Sequence, residues 1–192
     1  MSPQLALESD VFAIYVALVA GVAVASWIFI RVLGRLTGRD VSHAAQSFKG
    51  WLLMAPVALA AIFLGRVAAI AFIFGLALLG FIEYARATGL ARDRVLVGIV
   101  LAGIALLGID VAWAKQLAPS LDWYAAYLSL PVVVTIAIVC LPILRNRTAG
   151  ELKQITLAVF GFMYIGWMFG HLAMLANGRN AYGYLMYLFF AV

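Results

Sequence analysis

Apolar runs of about 20 residues recur along the whole chain, and this recurrence limits the fold more than any other feature. A helix of roughly 20 residues spans the hydrocarbon core of a bilayer. Of the 192 residues, 67% are hydrophobic and 11% are charged, whereas soluble domains carry about 25% charged residues. The chain is therefore predicted to be an integral membrane protein. The runs lie at about residues 11–30, 50–64, 67–84, 95–114, 123–144 and 152–176, and a last one begins at residue 181.

The predicted fold class is all-α. Open sheet edges cannot face lipid, and the runs lack the alternation typical of a membrane barrel. The runs therefore predict a polytopic helical bundle with six full transmembrane helices and the start of a seventh. The first run follows Glu8 and Asp10 with no preceding Lys or Arg. Because a secretory leader begins with positive charge, this run is predicted to be a retained helix.

The distribution of positive charge predicts the orientation. The loops after runs one, three and five hold ten Lys or Arg residues, and the opposite side holds three. The positive-inside rule therefore places the N-terminus outside and those three loops in the cytoplasm. The net charge of +5 lies in these short loops, so it indicates topology and not nucleic-acid binding.

The last run is short for a membrane span. From residue 181 to residue 192 the chain has 12 residues, which cover roughly 18 Å as a helix. A charged carboxylate in mid-membrane is costly. We therefore expect the chain to be the N-terminal part of a longer protein. The alternative is a half-helix that packs against its neighbours or lies at the interface.

The sequence predicts no catalytic residue and no metal site. The eight acidic residues form no close pair that would hold Mg²⁺, and neither a P-loop nor a G-x-G-x-x-G motif is present. His43 and His171 are far apart in sequence, and Cys140 is the single cysteine. The chain by itself therefore lacks recognisable chemistry.

Two acidic residues in or near the spans have alternative interpretations. Glu83 lies beside Tyr84 near the cytoplasmic end of the third run. It either borders a headgroup or nucleotide pocket or, as we favour, pairs with a nearby arginine at the interface. Asp110 lies within the fourth run, where ionisable residues are functional suspects. Pairing with Lys115 is the interpretation that we favour.

The sixth run carries features typical of helix packing. Gly166 and Gly170 form a G-x-x-x-G face that permits close helix approach, and His171 beside it is expected to hydrogen-bond to another helix. Three aromatic residues at the start of the fifth run predict a belt at the membrane interface: Trp123, Tyr124 and Tyr127.

Two stretches resemble a known family. Residues 48–89 read FKGWLLMAPVALAAIFLGR and continue through an apolar run that ends FIEYARATG. Residues 160–192 read FGFMYIGWMFGHLAMLANGRNAYGYLMYLFFAV. The first is similar to the early region of the phosphatidate cytidylyltransferases, or CDP-diacylglycerol synthases. The second is similar to the two helices that lead into that family's signature region. This resemblance divides the chain into residues 1–47, an N-terminal transmembrane helix with a basic cytoplasmic loop, and residues 48–192, the family's membrane region.

The resemblance implies a transferase of phospholipid biosynthesis in the cytoplasmic (inner) membrane. CTP and phosphatidic acid would give CDP-diacylglycerol and pyrophosphate, with Mg²⁺ expected for the complete enzyme. The family's signature segments are absent from this chain, so no catalytic residue is carried over and the fragment is expected to be inactive alone. The tentative substrate-binding residues are Glu83 and Tyr84, which match a recurring family position, and Arg145 and Arg147, whose basic loop would attract anionic headgroups.

Two other function classes remain open. A small transporter would bind its substrate at the midplane with broken helices and buried polar residues, and the chain offers little besides the proline-containing fifth run. A non-catalytic membrane scaffold subunit would account for the missing chemistry. No nucleic-acid partner is expected, and a homodimer is compatible with the sequence.

Overall fold

A computed structural model describes residues 1–37, 41–117, 122–146 and 151–191 of the protein. The described residues contain helices and turns and no strand. The α-helices in chain order are α1 Pro3–Leu7, α2 Asp10–Thr37, α3 Ser42–Leu64, α4 Arg66–Thr88, α5 Arg94–Leu117, α6 Trp123–Leu144, α7 Glu151–Gly161, α8 Met168–Met174 and α9 Ala181–Ala191.

The predicted all-α membrane architecture is confirmed. Six helical stretches in the described part of the chain are long and apolar enough to cross a membrane. The first five are α2 to α6, and the sixth is the continuous stretch Glu151–Asn177, which includes α7 and α8. The seventh apolar helix, α9, is shorter, as the sequence indicates.

The second span begins earlier than the apolar run suggests. The run starts near residue 50, whereas α3 begins at Ser42 and reaches Leu64 over 23 residues. The additional turns contain Ala, Gln and Lys, which are good helix formers. Hydropathy therefore predicts the part of α3 that lies in the hydrocarbon, whereas the helix begins about two turns earlier, in polar sequence.

The chain divides into two compact units, which are described separately. Unit 1 comprises Met1–Ala69 and Ala176–Val192. In unit 1 the Tyr182 hydroxyl donates to the Ser2 carbonyl at 2.7 Å and accepts from the Ser2 amide at 3.1 Å. The ring of Phe12 packs against both Phe63 and Tyr182. These contacts join the N-terminal segment, α2, α3 and α9 into one group.

Gly65 makes the sharp break between α3 and α4. Its φ of +112° lies in a region that only glycine adopts at low cost. A Cβ at this position would also lie 3.0 Å from the backbone carbonyl oxygen of Met1. A side chain here would therefore strain the break and displace the N-terminal segment.

Unit 2 comprises Ile70–Leu175 and is held together by close contacts at glycines. A Cβ at Gly103 of α5 would lie 2.9 Å from both Phe162 and Val134. A Cβ at Gly166 would lie 2.7 Å from Ile104. Helices approach this closely in membranes because small residues allow their backbones to pack.

A π-helical segment, Phe162–Trp167, lies between α7 and α8. Such segments leave the regular hydrogen-bond ladder and occur frequently at functional sites. The segment contains Gly166, the first glycine of the predicted G-x-x-x-G face, and a Cβ at the second, Gly170, would collide with Tyr127. Contacts within unit 2 therefore occupy this face.

Tyr127 corrects the predicted aromatic belt. Its side chain is fully buried and points into unit 2, whereas Tyr124 is exposed. A belt residue and a core residue look alike in sequence, because the rotation of the helix decides which aromatic ring faces lipid.

Candidate functional site

One end of unit 2 gathers the charged residues nearest to the predicted substrate-binding positions. Helix α4 ends at Thr88, α5 begins at Arg94, α6 ends at Leu144 and α7 begins at Glu151. Consecutive spans alternate in direction, so these four ends lie on the same side of the membrane. We call this region the polar end of unit 2; its charged residues are Glu83, Arg86, Arg92, Asp93, Arg94, Arg145, Glu151 and Lys153.

The turn between α4 and α5 is well defined. Gly89 adopts the left-handed conformation with φ +80° and ends α4, as glycine commonly does after a helix. A 3₁₀ turn, Leu90–Arg92, follows, and Leu90 is fully buried. This buried anchor fixes where α5 begins and holds Asp93 at its first turn.

Asp93 caps α5. One carboxylate oxygen, Oδ1, accepts hydrogen bonds from the amides of Val95 at 3.0 Å and Leu96 at 3.1 Å. These amides belong to the first turn of a helix, where no backbone carbonyl is available to them. The carboxylate also lies at the positive end of the helix dipole, which favours negative charge.

Arg145 forms an ion pair with the same carboxylate. Its Nη1 lies 3.0 Å from Oδ2 and 3.2 Å from Oδ1 of Asp93. Arg145 is also the C-cap residue that directly follows α6, and a cation is favourable at a helix C-terminus. The pair therefore joins the start of α5 to the end of α6, across 52 residues of sequence.

These contacts change the acidity of Asp93. Partial burial by itself would raise the pKa of the carboxyl group, but hydrogen bonds from Leu96, Arg145 and Val95 and the charge of Arg145 lower the pKa below its ordinary value. The group is therefore charged at neutral pH. The side chains of Arg145 and Asp93 remain 30% and 22% exposed, so water and ligands can reach the pair.

Tyr84 is placed at the helix-packing surface of unit 2. Its hydroxyl donates to the carbonyl of Leu157 at 3.2 Å, and its ring contacts Phe81 and Phe160. A Cβ at Gly161 would lie 2.8 Å from ring carbons of both Tyr84 and Phe81. The ring thus fills the space above a glycine and couples α4 to α7.

Glu83 lies next to Tyr84 in sequence but is exposed. The expected ion pair of Glu83 with a nearby arginine is not found among the described residues, where Arg145 pairs with Asp93. Arg147, the fourth predicted substrate-binding residue, lies outside the described residues. The structure therefore brings Arg145 together with Asp93, a residue that the sequence analysis did not single out.

A second polar group lies toward the opposite end of unit 2. The Tyr127 hydroxyl donates to the Trp167 carbonyl at 2.7 Å and lies 3.3 Å from Nδ1 of His171. That nitrogen is also 3.1 Å from the Trp167 carbonyl. The expected helix-to-helix hydrogen bond of His171 is confirmed by its contact with Tyr127.

Asp110 belongs to the same level of unit 2. Its Oδ2 atom is buried and has no hydrogen-bond partner among the described residues. The side chain of Lys115, its expected partner, lies outside the described part of the chain. A buried carboxyl oxygen without a described partner is uncommon. The nearby Tyr127 hydroxyl does not supply the missing hydrogen bond, because it donates to the Trp167 carbonyl.

The described residues contain no group of three or more His, Cys, Asp or Glu side chains that could hold a metal ion. Asp93 has its oxygens committed to Arg145 and two amides. Oxygen ligands are what Mg²⁺ requires, usually with several waters and one or two carboxylates. The described residues therefore offer no cluster of such ligands that would hold Mg²⁺.

Comparison with known proteins gives one family. The model of the "Cytidylyltransferase family" matches residues 46–192, which begin in α3 and include every later helix. No curated protein and no solved structure matches this chain. A match over this much of the chain shows the family: the protein belongs to the cytidylyltransferase family, which confirms the resemblance of the two sequence stretches.

Proposed function

We propose that this member of the cytidylyltransferase family forms the membrane part of a phosphatidate cytidylyltransferase in the cytoplasmic membrane. The observation that supports the proposal is the family match over residues 46–192, which coincides with helices able to cross a bilayer. A lipid substrate requires an enzyme embedded where the lipid is, and this architecture supplies that placement.

In the proposed reaction, a phosphate oxygen of phosphatidic acid attacks the α-phosphorus of CTP. The bond from that phosphorus to the bridging oxygen breaks, and pyrophosphate leaves with the electron pair. CDP-diacylglycerol is the lipid product. Mg²⁺, which neutralises phosphate charge in such reactions, is part of the proposal for the complete enzyme. The described residues offer no cluster of ligands that would hold it, and we assign them no chemical step.

The role proposed for this chain is to bind phosphate and to position lipid. Among the described residues the guanidinium of Arg145 donates side-chain hydrogen bonds only through Nη1, to Asp93. A guanidinium carries five N–H donors, so Nη2 and Nε can donate to a phosphate oxygen. Asp93 then acts as a positioning residue that fixes the direction of the guanidinium.

The other tentative residues have different parts in the proposal. Arg147 lies two residues after Arg145 and adds positive charge in the same loop. Glu83 contributes an exposed carboxylate to the polar end. Tyr84 borders the polar end and is held in place by its hydrogen bond to the Leu157 carbonyl. Juxtamembrane cations each attract anionic headgroups by about 1 kcal/mol, so the polar end of unit 2 would concentrate phosphatidic acid and CTP.

The proposed orientation places the polar end of unit 2 in the cytoplasm. The support is the excess of Lys and Arg in the loops on that side. CTP is a cytosolic nucleotide, so the polar end of unit 2 can bind its phosphates only if it faces the cytoplasm.

A comparison of acceptor lipids tests the proposal. Membranes that contain the complete gene product are incubated with CTP and Mg²⁺ and with phosphatidic acid, phosphatidylglycerol or diacylglycerol of identical acyl chains. We expect a CDP-lipid from phosphatidic acid alone. Transfer to diacylglycerol, or no nucleotide-linked lipid from any acceptor, would refute the assigned substrate.

The same comparison with Arg145→Gln tests the proposed phosphate contact. We expect KM for phosphatidic acid to rise about tenfold, as expected for loss of one charged hydrogen bond, while kcat changes less. Arg92→Gln, which alters an exposed arginine of the same region, is the matched control. We further propose that the 192-residue chain alone gives no CDP-diacylglycerol; a CTP-dependent product from the purified chain would overturn this part.

A further inference from the structure

An apolar groove lies between α2 and α3 in unit 1. It has a volume of about 190 Å³ and almost no polar surface. Ala20 and Ala23 line it from α2, and Phe48, Trp51 and Leu52 line it from α3. The groove exists because the α2 side chains are small at these positions, whereas those of α3 are large and lie along its walls.

Toward one end of the groove, α2 and α3 each carry a cation, Arg31 and Lys49. The guanidinium carbon of Arg31 lies 5.2 Å from the ring centroid of Trp27. Trp27 follows Ala23 by four residues and Arg31 follows Trp27 by four, so all three share one face of α2. On α3, Lys49 precedes Leu52 by three residues and lies on an adjoining face. Both cations are exposed.

No carboxylate of the described chain offsets these charges. Residues 23–37 and 41–56 contain no Asp or Glu, and neither Arg31 nor Lys49 has an ion pair among the described residues. Trp27 and Trp51 lie at the same end, where tryptophan is typical of the membrane interface. An apolar groove thus leads to a cationic, aromatic end at headgroup depth.

An empty apolar groove in a membrane would lose dispersion contacts along its whole lining, and a lipid acyl chain is the apolar material that surrounds it. Exposed cations select among lipids, because positive charge attracts anionic headgroups. We propose that this groove holds one acyl chain of an anionic phospholipid, with its phosphate against Arg31 and Lys49. This lipid site does not depend on the proposed reaction, since a bound phosphodiester lipid need not be a substrate.

Native mass spectrometry of the purified chain tests the site. The chain is exchanged into detergent containing equal amounts of phosphatidylglycerol and phosphatidylcholine with identical acyl chains, and the retained lipids are counted. We expect one phosphatidylglycerol to be retained in preference to phosphatidylcholine. Equal retention of the two lipids would overturn the proposal, as would retention of phosphatidic acid but not phosphatidylglycerol in a parallel sample.

Two pairs of variants locate the bound lipid. Ala20→Phe fills the groove at an exposed position and should abolish the retained lipid, whereas Val24→Phe adds the same ring where the side chain is 58% exposed and should not. Lys49→Ala should lower the preference for phosphatidylglycerol about fivefold, and Arg179→Ala, at an exposed arginine before α9, should leave it unchanged. The site is refuted if the two variants of either pair change lipid retention equally. It is also refuted if Ala20→Phe displaces a second copy of the protein, because the groove would then be an interface between copies.

Discussion

The carboxylate of Asp93 has two tasks that substitution can separate. It caps α5 through two amides, and it forms an ion pair with Arg145. Asparagine caps helices about as well as aspartate, so Asp93→Asn removes the charge and preserves the cap. Asp93→Ala removes both.

The expected magnitudes follow from the geometry. A hydrogen bond to a charged group contributes about 1.5–3 kcal/mol. Because the two side chains are 22% and 30% exposed, water weakens the interaction toward or slightly below the low end of that range, so Asp93→Asn should lower the free energy of unfolding by about 1–2 kcal/mol. Loss of the cap costs about 1 kcal/mol more, and Asp93→Ala should therefore cost about 2–3 kcal/mol.

A double-mutant cycle with Arg145→Gln isolates the ion pair. The free energy of unfolding is measured by circular dichroism in mixed micelles as the fraction of denaturing detergent is raised. We expect a coupling energy of about 1 kcal/mol between the two positions. If Asp93→Asn costs as much in the Arg145→Gln background as in the wild type, the reasoning is refuted. Arg94→Gln, at an exposed neighbouring position, should change stability by less than about 0.5 kcal/mol.

The pH dependence should have a definite sign. The pKa of Asp93 is lowered in the folded protein, so its contribution is fully present above the unfolded value of about 3.9 and is lost as the pH falls through the folded pKa. The wild type should exceed Asp93→Asn in stability by a constant amount between about pH 5 and 8, and this advantage should vanish on acidification below about pH 4.

Three further predictions concern packing and topology. Gly161→Ala should lower the free energy of unfolding by about 1–3 kcal/mol, because its Cβ would press on Tyr84. Gly75→Ala, where no atom lies within 4 Å, should be neutral or stabilising, and equal unfolding free energies of the two variants would contradict the packing argument. Tyr127→Phe should lower stability by about 1 kcal/mol through its lost hydrogen bond to a carbonyl, and an unchanged detergent midpoint would refute this. In a Cys140→Ala background, a membrane-impermeant maleimide should label Ser9→Cys in intact cells, and labelling that requires permeabilised cells would reverse the predicted orientation.

The membrane spans could be read from the sequence because lipid imposes a length and a composition on every crossing. The fifth run coincides with α6, Trp123–Leu144. The start of α3 at Ser42 was missed because polar turns outside the hydrocarbon leave no hydropathy signal. Helix propensity, and not hydropathy, determines where such a helix begins.

The site was less accessible to sequence analysis. Asp93 directly precedes a long apolar helix, and an Asp there is an N-cap signal that could have identified it. Its pairing with Arg145 could not be foreseen, because it depends on how α5 and α6 pack. The same holds for Tyr127: its sequence position predicts the interface, but the rotation of α6 buries it.

The proposed activity of the complete protein is the transfer of a cytidylyl group to phosphatidic acid in the membrane. Labelled CTP tests it most directly, with ³²P at either the α or the γ position and phosphatidic acid as the acceptor. We expect the α-label to enter the lipid and the γ-label to be released in pyrophosphate. Recovery of the γ-label in lipid, or of no label in lipid from either nucleotide, would contradict it.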